Sequence, residues 1–170
     1  MTVKLVGACL VLLGCSSFGF LIVGNAVGEI YALRNFICAI DYMICDLQYK
    51  STQLPTLCKN VATATKGTVS RLFRLLSHEL EASQSLDVTV GMKAALSHCQ
   101  DLPTKTFRLA ESLGQRLGVF DLDGQVRILE AVRQEAVLTL NACEEGHDAR
   151  SRSCRTIAVC AGAAIVILLI

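Results

Sequence analysis

The sequence predicts an all-α protein: a six-helix antiparallel bundle flanked by N- and C-terminal transmembrane helices. Three observations predict it. Residues 5–27 carry no charge, with Ser16, Ser17 and Asn25 as their polar side chains, and residues 156–170 carry no charge either. Between these ends, apolar residues recur three and four positions apart, the period of a helix with one buried face. No stretch keeps the strict alternation of a half-buried strand.

The composition bounds what such a chain can be. Its 170 residues suffice for one domain and two tethers. It is 52% apolar with mean hydropathy +0.49, and the excess sits at the termini. The 16 basic and 15 acidic residues leave a net charge of +1. The largest basic cluster is Arg150, Arg152 and Arg155, too small for a nucleic-acid surface, which must neutralise many phosphates. There are nine cysteines: Cys9, Cys15, Cys38, Cys45, Cys58, Cys99, Cys143, Cys154 and Cys160. Their number is odd, and no two are separated by two residues as in a CxxC motif. Most read as small apolar fillers in a reducing cell.

The first apolar end comes before the domain. A helix over residues 5–27 is roughly 34 Å long at about 1.5 Å per residue, enough for a hydrocarbon core about 30 Å thick. Lys4 ahead of this run also suits a cleaved signal peptide, but the run exceeds the ~7–15 apolar residues of such a leader. The last run, from near Cys154, is about 23–26 Å long and has no polar face to turn to water. Arg34, Arg150, Arg152 and Arg155 flank the spans on the domain side, so the positive-inside rule puts the domain in the cytoplasm. Lys4 opposes this, unless its ammonium reaches the far interface along its own stem. The pairs Gly24/Gly28, Cys15/Gly19 and Ala158/Gly162 are each four apart and permit close helix approach. The predicted organisation is a transmembrane helix over 1–27, a cytoplasmic helical bundle over 28–153 and a transmembrane helix over 154–170.

Within the bundle each helix has its own signal. Leu33, Phe36, Ile37, Ile40, Met43, Ile44 and Leu47 mark the first, which follows the apolar end without a breaker. Residues 50–53 interrupt it, and Pro55 suits the first turn of the second, over 55–65 and ending near Gly67. Val69, Leu72, Phe73, Leu76 and Leu80 mark the third. The fourth, over 85–97, is weakened by Val88, Thr89 and Val90. After Asp101 and Pro103, Phe107, Ala110, Leu113 and Leu117 mark the fifth, ended by Gly118. Asp121 suits the N-cap of the sixth. Its apolar stripe runs through Leu122, Val126, Leu129, Val132, Ala136, Leu140 and Cys143. An even number of helices returns the chain to the side it left, as two tethers in one membrane require.

Four stretches then carry a family resemblance. These are Lys4-Leu-Val-Gly7; Asp46-Leu-Gln-Tyr49-x-x-Thr52-x-Leu54-Pro55; Leu113-Gly114-Gln-Arg-Leu117-Gly118-x-x-Asp121-x-x-x-Gln125; and the terminal Ile-Leu-Leu-Ile. In this order the chain resembles the stage III sporulation protein AB family over nearly its whole length. It departs in three places: Asp46 stands where Glu is usual, a mid-chain tryptophan is absent, and Thr156-Ile-Ala-Val replaces a Ser-Leu-Gly entry to the last span. The resemblance implies a membrane protein of the mother cell, part of the channel complex between mother cell and forespore. It implies a bundle resembling the type II secretion platform-protein domain. The implied partners are a stage III sporulation protein AA-like ATPase, other sporulation channel subunits and membrane lipid, with a homo-oligomer possible.

No reactive constellation competes with that reading. His78, His98 and His147 stand far apart, without a serine or cysteine motif around them. His98 and Cys99 are adjacent and diverge on a helix, so they do not form a metal site. Gly114 and Gly118 lack the lysine of a phosphate loop and read as a helix terminus. The expectation is no enzyme activity, no cofactor and no metal. Arg34, Asp46, Tyr49 and Asp121 are the candidate partner contacts. Asp46 can instead cap the next helix, and Asp121 the sixth. An inner-membrane platform subunit of a type II secretion or type IV pilus-like machine is the alternative function, though neither a duplicated bundle nor a longer membrane hairpin is present. Asp46→Lys is expected to abolish ATPase co-purification without lowering the melting temperature.

Overall fold

Apolar periodicity and helix breakers divide the chain as the sequence leads one to expect. A computed structural model describes residues 27–50, 52–82, 87–117 and 124–146. Its helices are α1 (27–49), α2 (Leu54–Ala64), α3 (Gly67–Ala82), α4 (Val88–Ser97), α5 (Thr104–Arg116) and α6 (124–146). There is no strand among the described residues. The chain divides into two units. One, Glu29–Asn141, is the helical bundle. The other takes Met1–Gly28 and Ala142–Ile170, of which only residues 27–28 and 142–146 are described, all helical. Among the described residues no helix is long and apolar enough to cross a membrane. Both predicted spans lie outside them, apart from Val27.

Each helix of the bundle buries one stripe. On α1, Leu33, Phe36, Ile40 and Met43 are fully buried, at the three- and four-residue spacing that keeps a single face inward. α2 contributes Leu57, Cys58 and Val61; α3 contributes Leu72, Phe73 and Leu76. α2 packs on α3, α3 on α4 and α4 on α5. Of the stripe expected on the sixth helix, Leu129, Val132 and Ala136 are buried, while Val126, Leu140 and Cys143 are half-buried. Leu122 lies outside the described residues.

Polar bonds tie α1 to the rest of the bundle. Glu29 Oε1 accepts from the backbone N–H of Lys105 at 3.0 Å and of Thr106 at 3.2 Å, and from the Thr106 hydroxyl at 3.5 Å. The N-cap of α5 is Pro103, whose side chain cannot cap. A carboxylate from a helix about 75 residues earlier therefore does so, with the charge that an N-terminus favours. Arg133 Nε donates to Asp41 Oδ1, joining α6 to α1. Asn35 accepts from the Lys66 N–H at 3.1 Å, pinning the α2–α3 corner.

The structure sharpens the sequence reading at three joints. α2 ends at Ala64, near Gly67 as expected, and Gly67 itself opens α3. It sits at φ +67°, where a Cβ is strained, and that Cβ would stand 3.3 Å from Tyr31 Cε1. α2 ends without it. The Thr65 hydroxyl donates to Val61 O at 2.8 Å and the Ser70 hydroxyl to Ala62 O at 2.6 Å, which satisfies carbonyls of the last turn. α4 begins at Val88, because Asp87 caps it by accepting from Thr89 N at 3.0 Å and Val90 N at 3.4 Å. Gly114 lies inside α5 and does not terminate it: a Cβ there would overlap Cβ and Cγ of Met92. Gly118, expected to end the fifth helix, and Asp121, expected to cap the sixth, lie outside the described residues.

These contacts set two expectations for denaturant unfolding of the full chain. Glu29→Ala removes the cap of α5 and lowers stability by about 0.5–2 kcal/mol. Gly114→Ala forces Met92 away and lowers it by about 1–3 kcal/mol. The exposed Arg71–Asp101 pair, with side chains 51% and 76% accessible, is the control: Arg71→Ala changes stability by about 0–1 kcal/mol.

Candidate functional site

Three of the four candidate contacts are carried by α1, and the bundle fixes where each of these points. Arg34 is exposed, Tyr49 is 81% exposed and Asp46 is only 5% exposed. Asp121 lies outside the described residues. Arg34 and Asp46 are twelve residues apart, roughly 18 Å along the helix, so α1 does not bring them together. Tyr49 lies one turn beyond Asp46.

Asp46 is the unusual member. Its Oδ2 is buried and has no hydrogen-bond partner. It sits in the last turns of α1, where the helix dipole disfavours a negative charge. α2 starts from Gln53 without a side-chain cap. Asp46 is therefore an interior carboxylate and does not project from the surface. The other two carboxylates of α1 are bonded to neighbouring helices, Glu29 to the start of α5 and Asp41 to Arg133 of α6.

The outward face of α1 holds further residues that sequence reasoning passed over. Tyr31 is 51% exposed, Cys38 and Cys45 are exposed and Tyr42 is half-buried. With Arg34 and Tyr49 these stand at 31, 34, 38, 42, 45 and 49, again three and four apart. The spacing was the available signal. It was obscured because α1 carries a second set of apolar residues at the same period, and that set is the buried one.

None of the five described cysteines forms a disulfide among the described residues, and four of them fall into two groups. Cys58 and Cys99 are core residues, as expected of apolar fillers. Burial pushes the Cys58 thiol up to about 12, and burial also raises Cys99, with Arg71 opposing and Asp101 adding to the shift. Cys38 and Cys45 depart from the filler expectation: they face outward, because the core face of α1 is already filled by Leu33, Phe36, Ile40 and Met43. Seven residues apart on one helix, their Cα atoms are about 10 Å apart, beyond the reach of a disulfide within the chain.

Elsewhere the chemistry is sparse. His78 and His98 are exposed, and His98 is next to buried Cys99. Among the described residues no group of three His, Cys, Asp or Glu side chains is placed to hold a metal ion. A shallow groove of about 540 Å³ runs beside α4 and α5, lined by Lys93, Leu96, Cys99, Phe107 and Glu111 among others.

Burial revises the expected effect of changing Asp46. Asp46→Lys puts a longer charged chain into the core and lowers stability by about 2 kcal/mol or more, so it cannot report on docking alone. Tyr49→Lys, at an 81% exposed position, stays within about 0.5 kcal/mol of the parent. Denaturant midpoints of the two variants separate these cases. The thiols give a second expectation. Because the folded Cys58 pKa lies above the ordinary 9.0, Cys58 adds stability that is fully present below pH 9 and is lost as pH rises towards 12. Site-resolved alkylation at pH 8 labels Cys38 and Cys45 and leaves Cys58 unmodified until the chain unfolds.

Comparison with known proteins places this bundle. The family pattern of stage III sporulation protein AB matches residues 4–170. A solved structure of a stage III sporulation protein AB is similar with a TM-score of 0.62 at 18% identity, over 71% of this chain and 97% of that one. No curated protein matches the sequence. Matched across its bundle and both of its apolar ends, the chain belongs to the stage III sporulation protein AB family.

Proposed function

We propose that this protein is a non-enzymatic membrane scaffold of the channel complex between mother cell and forespore, and that it docks a cytoplasmic ATPase at the mother-cell membrane. Its family assigns it a role in sporulation. The observation that carries the finer reading is the extent of the family match. It begins at residue 4 and runs to residue 170, so both charge-free ends belong to the shared pattern along with the bundle. Two such ends on one helical domain suit a body held against a bilayer, and the arginines beside them favour the cytoplasmic side. The fixed charges of the bundle serve to cap α5 and to join helices, which is what a docking body needs for a rigid surface.

On this reading the partners are a stage III sporulation protein AA-like ATPase, other channel subunits and membrane lipid. The test is affinity purification of the full chain from the membranes of sporulating cells. The intact N-terminus is expected in the membrane fraction, with the ATPase co-purifying. A strain lacking the chain is expected to stop before spores mature. A clean purification without the ATPase overturns the docking role. Normal spore yield without the chain overturns the role in the channel.

A further inference from the structure

We infer that Tyr31, braced by the α2–α3 corner, seats the bundle in the headgroup layer of a phospholipid bilayer. The inference rests on the scaffold reading and deepens it, naming the residue of the bundle that meets lipid and its depth. Tyr31 is half-exposed and stands in the first turns of α1. α1 starts at Val27, the last residue of the charge-free run 5–27. Val27 is also exposed, and a spacing of four puts it on the same face of the helix as Tyr31.

Length sets the depth. A helix over 5–27 is roughly 34 Å long against a hydrocarbon core of about 30 Å, so residue 27 lies about 2 Å beyond the core when the run is centred. Tyr31 follows four residues later, about 6 Å further along the axis. The headgroup layer is about 5–8 Å thick on each side. The Tyr31 Cα therefore lies at the outer edge of that layer. Helical side chains lean back towards the N-terminus, which carries the ring inward, into the layer. A tyrosine suits this depth, with an apolar ring for the acyl side and a hydroxyl for water and phosphate.

The bundle holds the ring there. Gly67 lies against it: a Cβ on Gly67 would stand 3.3 Å from Tyr31 Cε1. The Lys66 N–H donates to Asn35 at 3.1 Å, and Asn35 Nδ2 donates to Tyr31 O at 2.9 Å. The corner therefore cannot swing away from Tyr31 without breaking a bond. Glu29, the acid of this end of α1, is turned to the amides that open α5, so its charge is neutralised within the bundle and not offered to phosphate. On the scaffold reading a protein partner fits this end less well, because it would have to enter between Tyr31 and a bilayer that begins about one turn away.

The test uses the full chain in phospholipid vesicles. The sequence has no tryptophan, so Val27→Trp, Tyr31→Trp and Tyr49→Trp each place a single indole on α1. Tyr49 is about 27 Å beyond Tyr31 along the helix. Emission of the Tyr31→Trp chain is expected at shorter wavelength than that of the Tyr49→Trp chain, and a spin label on the lipid headgroup is expected to quench it. Tyr49→Trp is expected to be quenched by aqueous iodide and not by the labelled lipid. Val27→Trp reads the anchoring itself. If labelled lipid quenches it while Tyr31→Trp behaves as Tyr49→Trp does, the inference falls and the scaffold reading stands. If Val27→Trp also behaves as Tyr49→Trp does, both fall. The larger ring of Tyr31→Trp must share space with Gly67, so fluorine NMR of 3-fluorotyrosine in the parent sequence is a second measurement. The chain has three tyrosines, and labelled lipid is expected to broaden the Tyr31 resonance several-fold more than that of Tyr49. Equal broadening of the two overturns the inference.

Discussion

The bundle depends on burying one face of α1. Leu33, Phe36, Ile40 and Met43 are fully enclosed, and each buried side chain of this size contributes about 1.5–3 kcal/mol. The hydrogen bonds that leave the same helix contribute less, about 0.5–1.5 kcal/mol each for ordinary pairs and somewhat more where a carboxylate takes part. Apolar burial therefore drives the assembly. Glu29, Asn35 and Asp41 then fix the orientation of α1, each bonded to a different part of the bundle. The same division explains the outward face. A helix held by its inner stripe and clasped along its sides turns its remaining face outward.

Asp46 runs against this economy. A carboxylate with a buried, unpartnered oxygen lies near the negative end of its own helix. The other acids on α1, Glu29 and Asp41, are bonded to neighbouring helices, so Asp46 is the acid of this helix that costs stability. Among the described residues the structure shows no bond that compensates it.

Much of this was legible in the sequence, because helix period and helix punctuation are local. Leu33 to Leu47 gave α1, Pro55 gave the start of α2, and Leu129, Val132 and Ala136 gave the inner face of α6. What was not legible depends on distant neighbours. That Gly67 opens a helix follows from its positive φ and from Tyr31, a residue 36 positions earlier. That Gly114 lies mid-helix follows from Met92 on α4 filling the space of its missing side chain. The capping role of Glu29 could not be read, since nothing near Pro103 points to residue 29. Of the candidate contacts, Tyr49 stands well out into solvent and Arg34 is exposed, while burial of Asp46 needed the packed bundle to be seen. The tyrosines and cysteines between them were overlooked because hydropathy treats a cysteine as core wherever it stands.

The Glu29 clasp also has a consequence for the order of assembly on the ribosome. Its acceptor and its donors are separated by 76 and 77 residues. At about 5–20 residues per second, roughly 4–15 s pass between synthesis of the carboxylate and synthesis of the amides it will cap. For most of that interval α1 is complete, but the helix whose start Glu29 caps does not yet exist. The α2–α3 corner emerges sooner and, through Asn35, is the first partner in place to shelter the waiting face. A chain slowed between residues 67 and 105 would lengthen that wait, and the newborn protein is most open to aggregation or proteolysis in that window.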